Sequence, residues 1–160
     1  MSNLITIEFG DKSTFPKGDW CNEPDFCHWF RYDYPCLAIR DMTLGNWRGF
    51  VGITKTHPFY NKEAFDLLKE KSFLHISIYE GISHIGKLPA KYKKYNPDHW
   101  FLGFSTLSSG DLLPLMVDKV ETDKNKIVEI KTYKDLHFVR KETNDLAKQL
   151  FVVERDNKTL

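Results

Sequence analysis

No run in this chain approaches the ~20 consecutive apolar residues that a membrane-spanning helix needs. The opening "MSNLITIEFGDK" also lacks the basic-then-apolar order of a secretory leader. Charge of one sign is not in excess: 23 basic and 22 acidic residues leave a net charge of +1. That balance argues against a strong, sequence-independent grip on nucleic acid, which needs a clearly basic face. Cysteine is sparse and odd in number, three in 160 residues, so a disulfide framework is not expected and a reducing compartment is. No membrane association and a cytoplasmic location follow as expectations. Internal repeats, low-complexity tracts and linkers are missing too, and the length suits one domain over residues 1–160.

Signatures of catalysis are equally scarce. There is no G-x-S-x-G, H-E-x-x-H or H-x-H, no paired Cys–His signature, and "TLGNWRG" is not a phosphate loop. "DWCNEPDFCHWF" concentrates Cys21, Cys27 and His28, with Cys36 following, but C-x5-C-H-x7-C is not the knuckle that sets two thiolates on one zinc. These cysteines read instead as buried, unpaired small hydrophobes. Neither a cofactor nor a metal is expected, and no residue is assigned a catalytic role.

Rings are abundant. Twelve Phe, seven Tyr and four Trp make 14% of the chain, enough for large rings to dominate both core and pocket. "LITIEF" (Leu4 to Phe9), "PCLAIR" (Pro35 to Arg40), the run Gly49 to Thr54 and "WFLGFST" read as strands. So do "SFLHISIYEGIS", with His75, Ser77 and Tyr79 on its polar face, and "KIVEIKTY" (Lys126 to Tyr133). Asn22 and Pro24 suit the start of a short helix carrying Phe26, Trp29 and Phe30 on one face. "NKEAFDLLKEK" suits another, with Phe65 and Leu68 inward, and "KLPAKYKKYNPDH" an exposed loop. From Lys134 the period switches: Leu136, Val139, Leu146, Leu150 and Val153 recur at helical spacing, with Asp135 complementing the helix dipole. The expected fold is α+β, a mostly antiparallel sheet of five or six strands packed by a long C-terminal helix and two short helices.

What remains for chemistry is rings, arginines near strand ends and small hydroxyls. Rings stack on flat groups, and arginine grips phosphate or carboxylate bidentately. The candidate ligand-binding set is therefore Trp20, Trp47, Tyr79 and Trp100 for stacking, Arg40, Arg48 and Lys87 for phosphate, and Ser83 and Ser105 as hydrogen-bond donors. His57 and Asp111 complete it, although "SSGDLL" also fits a turn in which Asp111 caps backbone amides.

Several short motifs resemble, as a set, a family of small phage- and prophage-encoded proteins. They are "WCNEPD" (Trp20 to Asp25), "PC" (Pro35, Cys36), "GFVG" (Gly49 to Gly52), "HP" (His57, Pro58) and "GIS" (Gly81 to Ser83). "WFLGF" (Trp100 to Phe104), "GDLLP" (Gly110 to Pro114) and "LAKQL" (Leu146 to Leu150) follow, so the resemblance spans about residues 16 to 150. The family has no established catalytic residues to carry over. Where its pattern has His-Gly-Gly-Leu-Thr this chain has "YEGIS", and where it has G-F-D-x-x-H-x-G-D this chain has "GFSTLSSGD". Tyr79 thus stands for a histidine, Ser105 for an aspartate and Ser108 for a second histidine, which points away from turnover. The resemblance implies an accessory protein acting against host defence. The expected function is non-enzymatic capture of a small nucleotide-like ligand, such as a cyclic nucleotide signal, by a homo-oligomer. The alternatives are a metal-assisted hydrolase using His57, His75, Glu80 and Asp111, or a protein–protein antagonist of a host defence enzyme.

Overall fold

The computed structural model describes residues 4–92, 95–117 and 131–158. Six strands form one antiparallel sheet: β1 (Leu4–Glu8), β2 (Phe26–Arg31), β3 (Tyr34–Arg40), β4 (Trp47–Ile53), β5 (His84–Gly86) and β6 (Trp100–Ser105), in the order β1-β2-β3-β4-β6-β5. Two one-turn helices, α1 (Ala64–Leu67) and α2 (Lys71–Leu74), precede β5, and a 23-residue helix, α3 (Leu136–Lys158), crosses the sheet. This is the α+β architecture that the patterning predicts. No helix among the described residues is long and apolar enough to cross a membrane.

Both faces of the sheet are covered, which explains why its central strands show little polar alternation. On one face Trp29, Cys36, Ala38, Trp47, Val51, Leu102 and Phe104 pack against Val139, Thr143, Leu146, Ala147 and Leu150 of α3. Gly49 sits under that helix. A Cβ there would come within 2.4 Å of Thr143 Oγ1 and 2.5 Å of the Phe104 ring, so a bare backbone is what lets α3 approach. On the other face Phe26, Leu37, Ile39, Phe50 and Phe101 are covered by Leu88, Tyr92 and Tyr95. The "KLPAKYKKYNPDH" segment is therefore not simply exposed: it lays Leu88 and two phenols over the sheet.

The segment Asn22 to Phe30 is the main correction. Only Asp19–Asn22 form a helical turn, of the 3-10 type, and Phe26–Arg31 is strand β2. Phe26, Trp29 and Phe30 share a helix face on paper, but pairing to strands on both sides wins over that spacing. "SFLHISIY" is likewise not a strand; it begins as α2 and continues irregularly to Tyr79. In α1 it is Leu67 that is buried, while Phe65 and Leu68 are 72% and 59% exposed. Residues 126–130 of "KIVEIKTY" lie outside the described residues; Thr132 makes an isolated parallel bridge to Asp111. At the start of α3, Asp135 accepts from Phe138 N at 2.9 Å and Glu23 from Leu136 N at 2.7 Å, both carboxylates at the positive end of the helix.

Candidate functional site

The eleven predicted ligand-binding residues do not form one site. The fold divides them among the interior, the helix side of the sheet and its opposite face.

The interior takes Trp20, Arg40 and Trp47. Arg40 is 2% exposed and all its nitrogens are engaged. Its Nε donates to Asp25 at 2.6 Å, Nη2 to Glu23 at 3.1 Å, and Nη1 to Gly45 O at 2.7 Å and Tyr133 Oη at 3.0 Å. The guanidinium lies 4.3 Å from the Trp47 ring centre. Lys12 meets both oxygens of Asp25 at 2.8 Å, so two cations balance two carboxylates. Tyr133 donates to Glu23 and accepts from Trp47 Nε1 at 3.2 Å. Burial, first, and the hydrogen bond to Glu23 hold the Tyr133 phenol far above its ordinary value, so it stays neutral. Trp20 stands edge-on to Tyr133 at 5.2 Å. These groups form a satisfied structural network that ties the "WCNEPD" segment to β3 and to the start of α3. With Trp47 fully buried, Trp20 6% exposed and Arg40 2% exposed with every nitrogen already hydrogen-bonded, they are closed to a ligand.

His57 is also structural. Its Nδ1 accepts from Phe59 N at 3.0 Å, so the proton sits on Nε2, which donates to Leu150 O at 2.9 Å. Burial lowers its pKa, keeping the ring neutral. Trp100, half-buried, donates Nε1 to Lys62 O at 3.0 Å and packs against the helix-side core. His75 and Glu80 are exposed and His57 buried, and no three His, Cys, Asp or Glu residues among those described are placed to hold a metal ion.

On the face away from α3, Arg48 and Ser105 are register partners on β4 and β6. Arg48 is exposed and donates to Asp41 at 3.0 Å. Ser83 N donates to Gly103 O at 2.8 Å at the edge of the same strand, and Lys87, exposed just beyond β5, borders a small hollow with Tyr95 and Phe101. Four predicted residues thus lie along β6 and its neighbours, but spread along the strand and facing solvent.

Tyr79 and Asp111 meet on the helix side. Tyr79 Oη donates to Asp111 Oδ1 at 2.6 Å and lies 2.9 Å from Ser108 Oγ. Asp111 is almost fully buried and takes Ser108 N at 2.9 Å and Ser108 Oγ at 3.1 Å on its other oxygen, with Lys134 Nζ 3.5 Å away. The turn-capping role expected for an Asp after Gly is present, and it doubles as an anchor for the tyrosine. Burial and then the bond to Asp111 raise the Tyr79 pKa, leaving a neutral donor and no base. Tyr79 and Ser108 touch, while Ser105 lies elsewhere, on β6.

Beside Tyr79 runs an open groove of about 490 Å³, walled by Ser77, Ile78 and Tyr79 on one side and Glu142, Asp145, Lys148 and Gln149 of α3 on the other. Gln149 holds the main chain of Ser77 at both ends, its Oε1 accepting from Ser77 N at 2.7 Å and its Nε2 donating to Ser77 O at 2.8 Å. Glu142 accepts from Tyr79 N at 3.2 Å. Side chains of the helix thus do for this extended segment what a neighbouring strand would do. The helix residues were not singled out from sequence. Glu142, Asp145 and Gln149 fall at i, i+3 and i+7, which reads as an ordinary solvated helix face.

No family model, no curated protein and no solved structure matches this chain. The groove at Tyr79 is accordingly the candidate site on geometry alone. Its volume suits a small molecule, and its lining is mixed: hydroxyl, amide, two carboxylates, one ammonium and one aromatic ring.

Proposed function

We propose that the protein is a non-enzymatic binding protein that holds a small nucleotide-like ligand in the groove between residues 77–79 and α3. The observation that carries this reading is Tyr79: of the four rings expected to stack, it is the one on the wall of a ligand-sized hollow, fixed there by Asp111 and Ser108. Glu142 and Asp145 suit exocyclic amino groups and ribose hydroxyls, which donate, and Lys148 suits a phosphate. The lining carries more negative than positive charge, so the base and sugar supply more of the affinity than the phosphate. Tyr79 is held neutral, which favours capture over turnover. In line with the resemblance to phage accessory proteins, the physiological ligand on this reading is a cyclic nucleotide signal of host defence, removed by sequestration.

The test is a thermal-shift screen over nucleosides and linear and cyclic nucleotides, followed by heat release and chromatography of the supernatant. A ligand at about 100 times its dissociation constant adds ~2.7 kcal/mol of apparent stability. Capture requires a shift, intact released ligand, and loss of the shift in Tyr79→Ala. Cleaved product would make the protein an enzyme, and no shift across the panel would remove the proposal.

A further inference from the structure

The tip of the β2–β3 hairpin carries unusual chemistry. Its two turn residues, Tyr32 and Asp33, both have positive φ, 53° and 63°. That left-handed pair is the geometry of the tight hairpin turn that glycine and asparagine normally fill, and a tyrosine there is strained. Strain of this kind persists only where surrounding contacts enforce it. Here Tyr32 lies flat on Phe151 of α3, with ring centres 4.9 Å apart and planes 17° apart, and the Arg31 guanidinium lies 5.3 Å from the Tyr32 ring. Phe30 and Tyr32, on either side of Arg31, are 40% and 37% exposed.

Two charges at this tip are unanswered. Arg31 is half-buried and has no carboxylate partner among the described residues. Asp33, two residues on, is exposed and has no hydrogen-bond or ion-pair partner among the described residues. A guanidinium without a carboxylate and a carboxylate without a cation, flanked by exposed rings, form a patch complementary to itself. A two-fold axis through such a patch sets Arg31 of each copy against Asp33 of the other, twice, with rings between them. Exposed aromatic residues with arginine are also the composition that anchors protein interfaces.

We infer that the hairpin tip is a self-association surface, and that its partner is a second copy of this chain, joined through reciprocal Arg31–Asp33 pairs and the rings of Phe30 and Tyr32. A hairpin tip offers less than the roughly 800 Å² per partner of a standard interface, so the dimer is weak, with a dissociation constant in the micromolar range. The strained turn then has a purpose: it presents the tyrosine and the aspartate where an unstrained Asn-Gly turn would present nothing. This association is independent of the groove, which lies elsewhere on α3.

Sedimentation velocity tests it. The native chain is expected to form a dimer as concentration rises toward ~0.5 mM. Arg31→Asp and Asp33→Arg are each expected to stay monomeric, because each sets like charges against one another. An equimolar mixture of the two variants is expected to recover the dimer, since that pairing restores both opposite-charge contacts. A native chain that is monomeric throughout, a dimer indifferent to Asp33→Arg, or a mixture that remains monomeric would each overturn the inference. Should Arg31→Asp not fold by circular dichroism, the exposed-turn series Asp33→Asn and Asp33→Arg decides instead. Its dissociation constants must rise in that order, and unchanged values overturn the inference.

Discussion

Replacing Arg40 by leucine should be among the most damaging single changes in this protein, although it removes a charge from the interior. The guanidinium is buried against Trp47 and answers Asp25, Glu23, Tyr133 and Gly45 O together. Taking it away leaves Glu23 with Tyr133 and Leu136 N but no cation among the described residues, and Asp25 with Lys12 and Gly10 N, in a site water cannot readily enter. Breaking a buried ion pair from one side costs about 3–5 kcal/mol, because the remaining charge stays desolvated and unpaired. A domain of this size is stable by about 5–15 kcal/mol, so the variant should survive with a large fraction of its stability gone. Each kcal/mol moves the midpoint by about 2–4 °C at this length, placing the fall in Tm on the order of 10 °C. Urea unfolding of Arg40→Leu, Asp25→Asn and the double variant at pH 7 measures both the loss and the coupling. A single-variant loss below about 1 kcal/mol, or additive effects of the two changes, would refute the network as the tie between the "WCNEPD" segment, β3 and α3.

Three further outcomes follow from the same structure. Burial lowers the pKa of His28, His57, His84 and His99, so the folded state takes up their protons less readily than the unfolded chain does. Stability should therefore be full above about pH 6.5 and decline as the pH falls below it, with a shallower slope in His57→Gln; a flat urea profile from pH 7 to pH 5 would contradict this. Gly49→Ala should cost about 1–3 kcal/mol by pushing a methyl into Thr143 and Phe104, and adding Thr143→Ala should recover part of it, as read by chemical denaturation. Finally, a thiol reagent should label Cys21 alone in the native protein and all three cysteines in denaturant, since Cys21 is exposed while burial pushes the Cys27 and Cys36 thiols up to about 11 and about 12.

How much was readable before the fold was known differs from element to element. The run of Leu136, Val139, Leu146 and Leu150 marked α3 because a helix on one face of a sheet must repeat its apolar residues every three or four positions. Strands β3, β4 and β6 were legible as short β-rich runs near turn residues. Strand β2 was not, because both faces of its first four residues are buried, one under α3 and one under Tyr92 and Tyr95, so no alternation survives there to distinguish it from a helical turn. The site fared worse. Trp20, Trp47 and Arg40 are the residue types a stacking site needs, but they are equally what a core with a buried ion network needs. Composition cannot separate the two uses.

The amino-acid order by itself determined the class of fold, the long helix and the run of strands, because those depend on periods of two and 3.6 that neighbouring residues set among themselves. Only the tertiary structure decided which polar groups are spent inside and which face a hollow. Arg40 and Asp25 are 15 positions apart, Tyr79 and Asp111 are 32, and Ser77 and Gln149 are 72, distances along the chain that no local pattern can close. Whether a charge or a ring is available to a ligand depends on what sits across from it, and that is settled when the sheet and α3 come together.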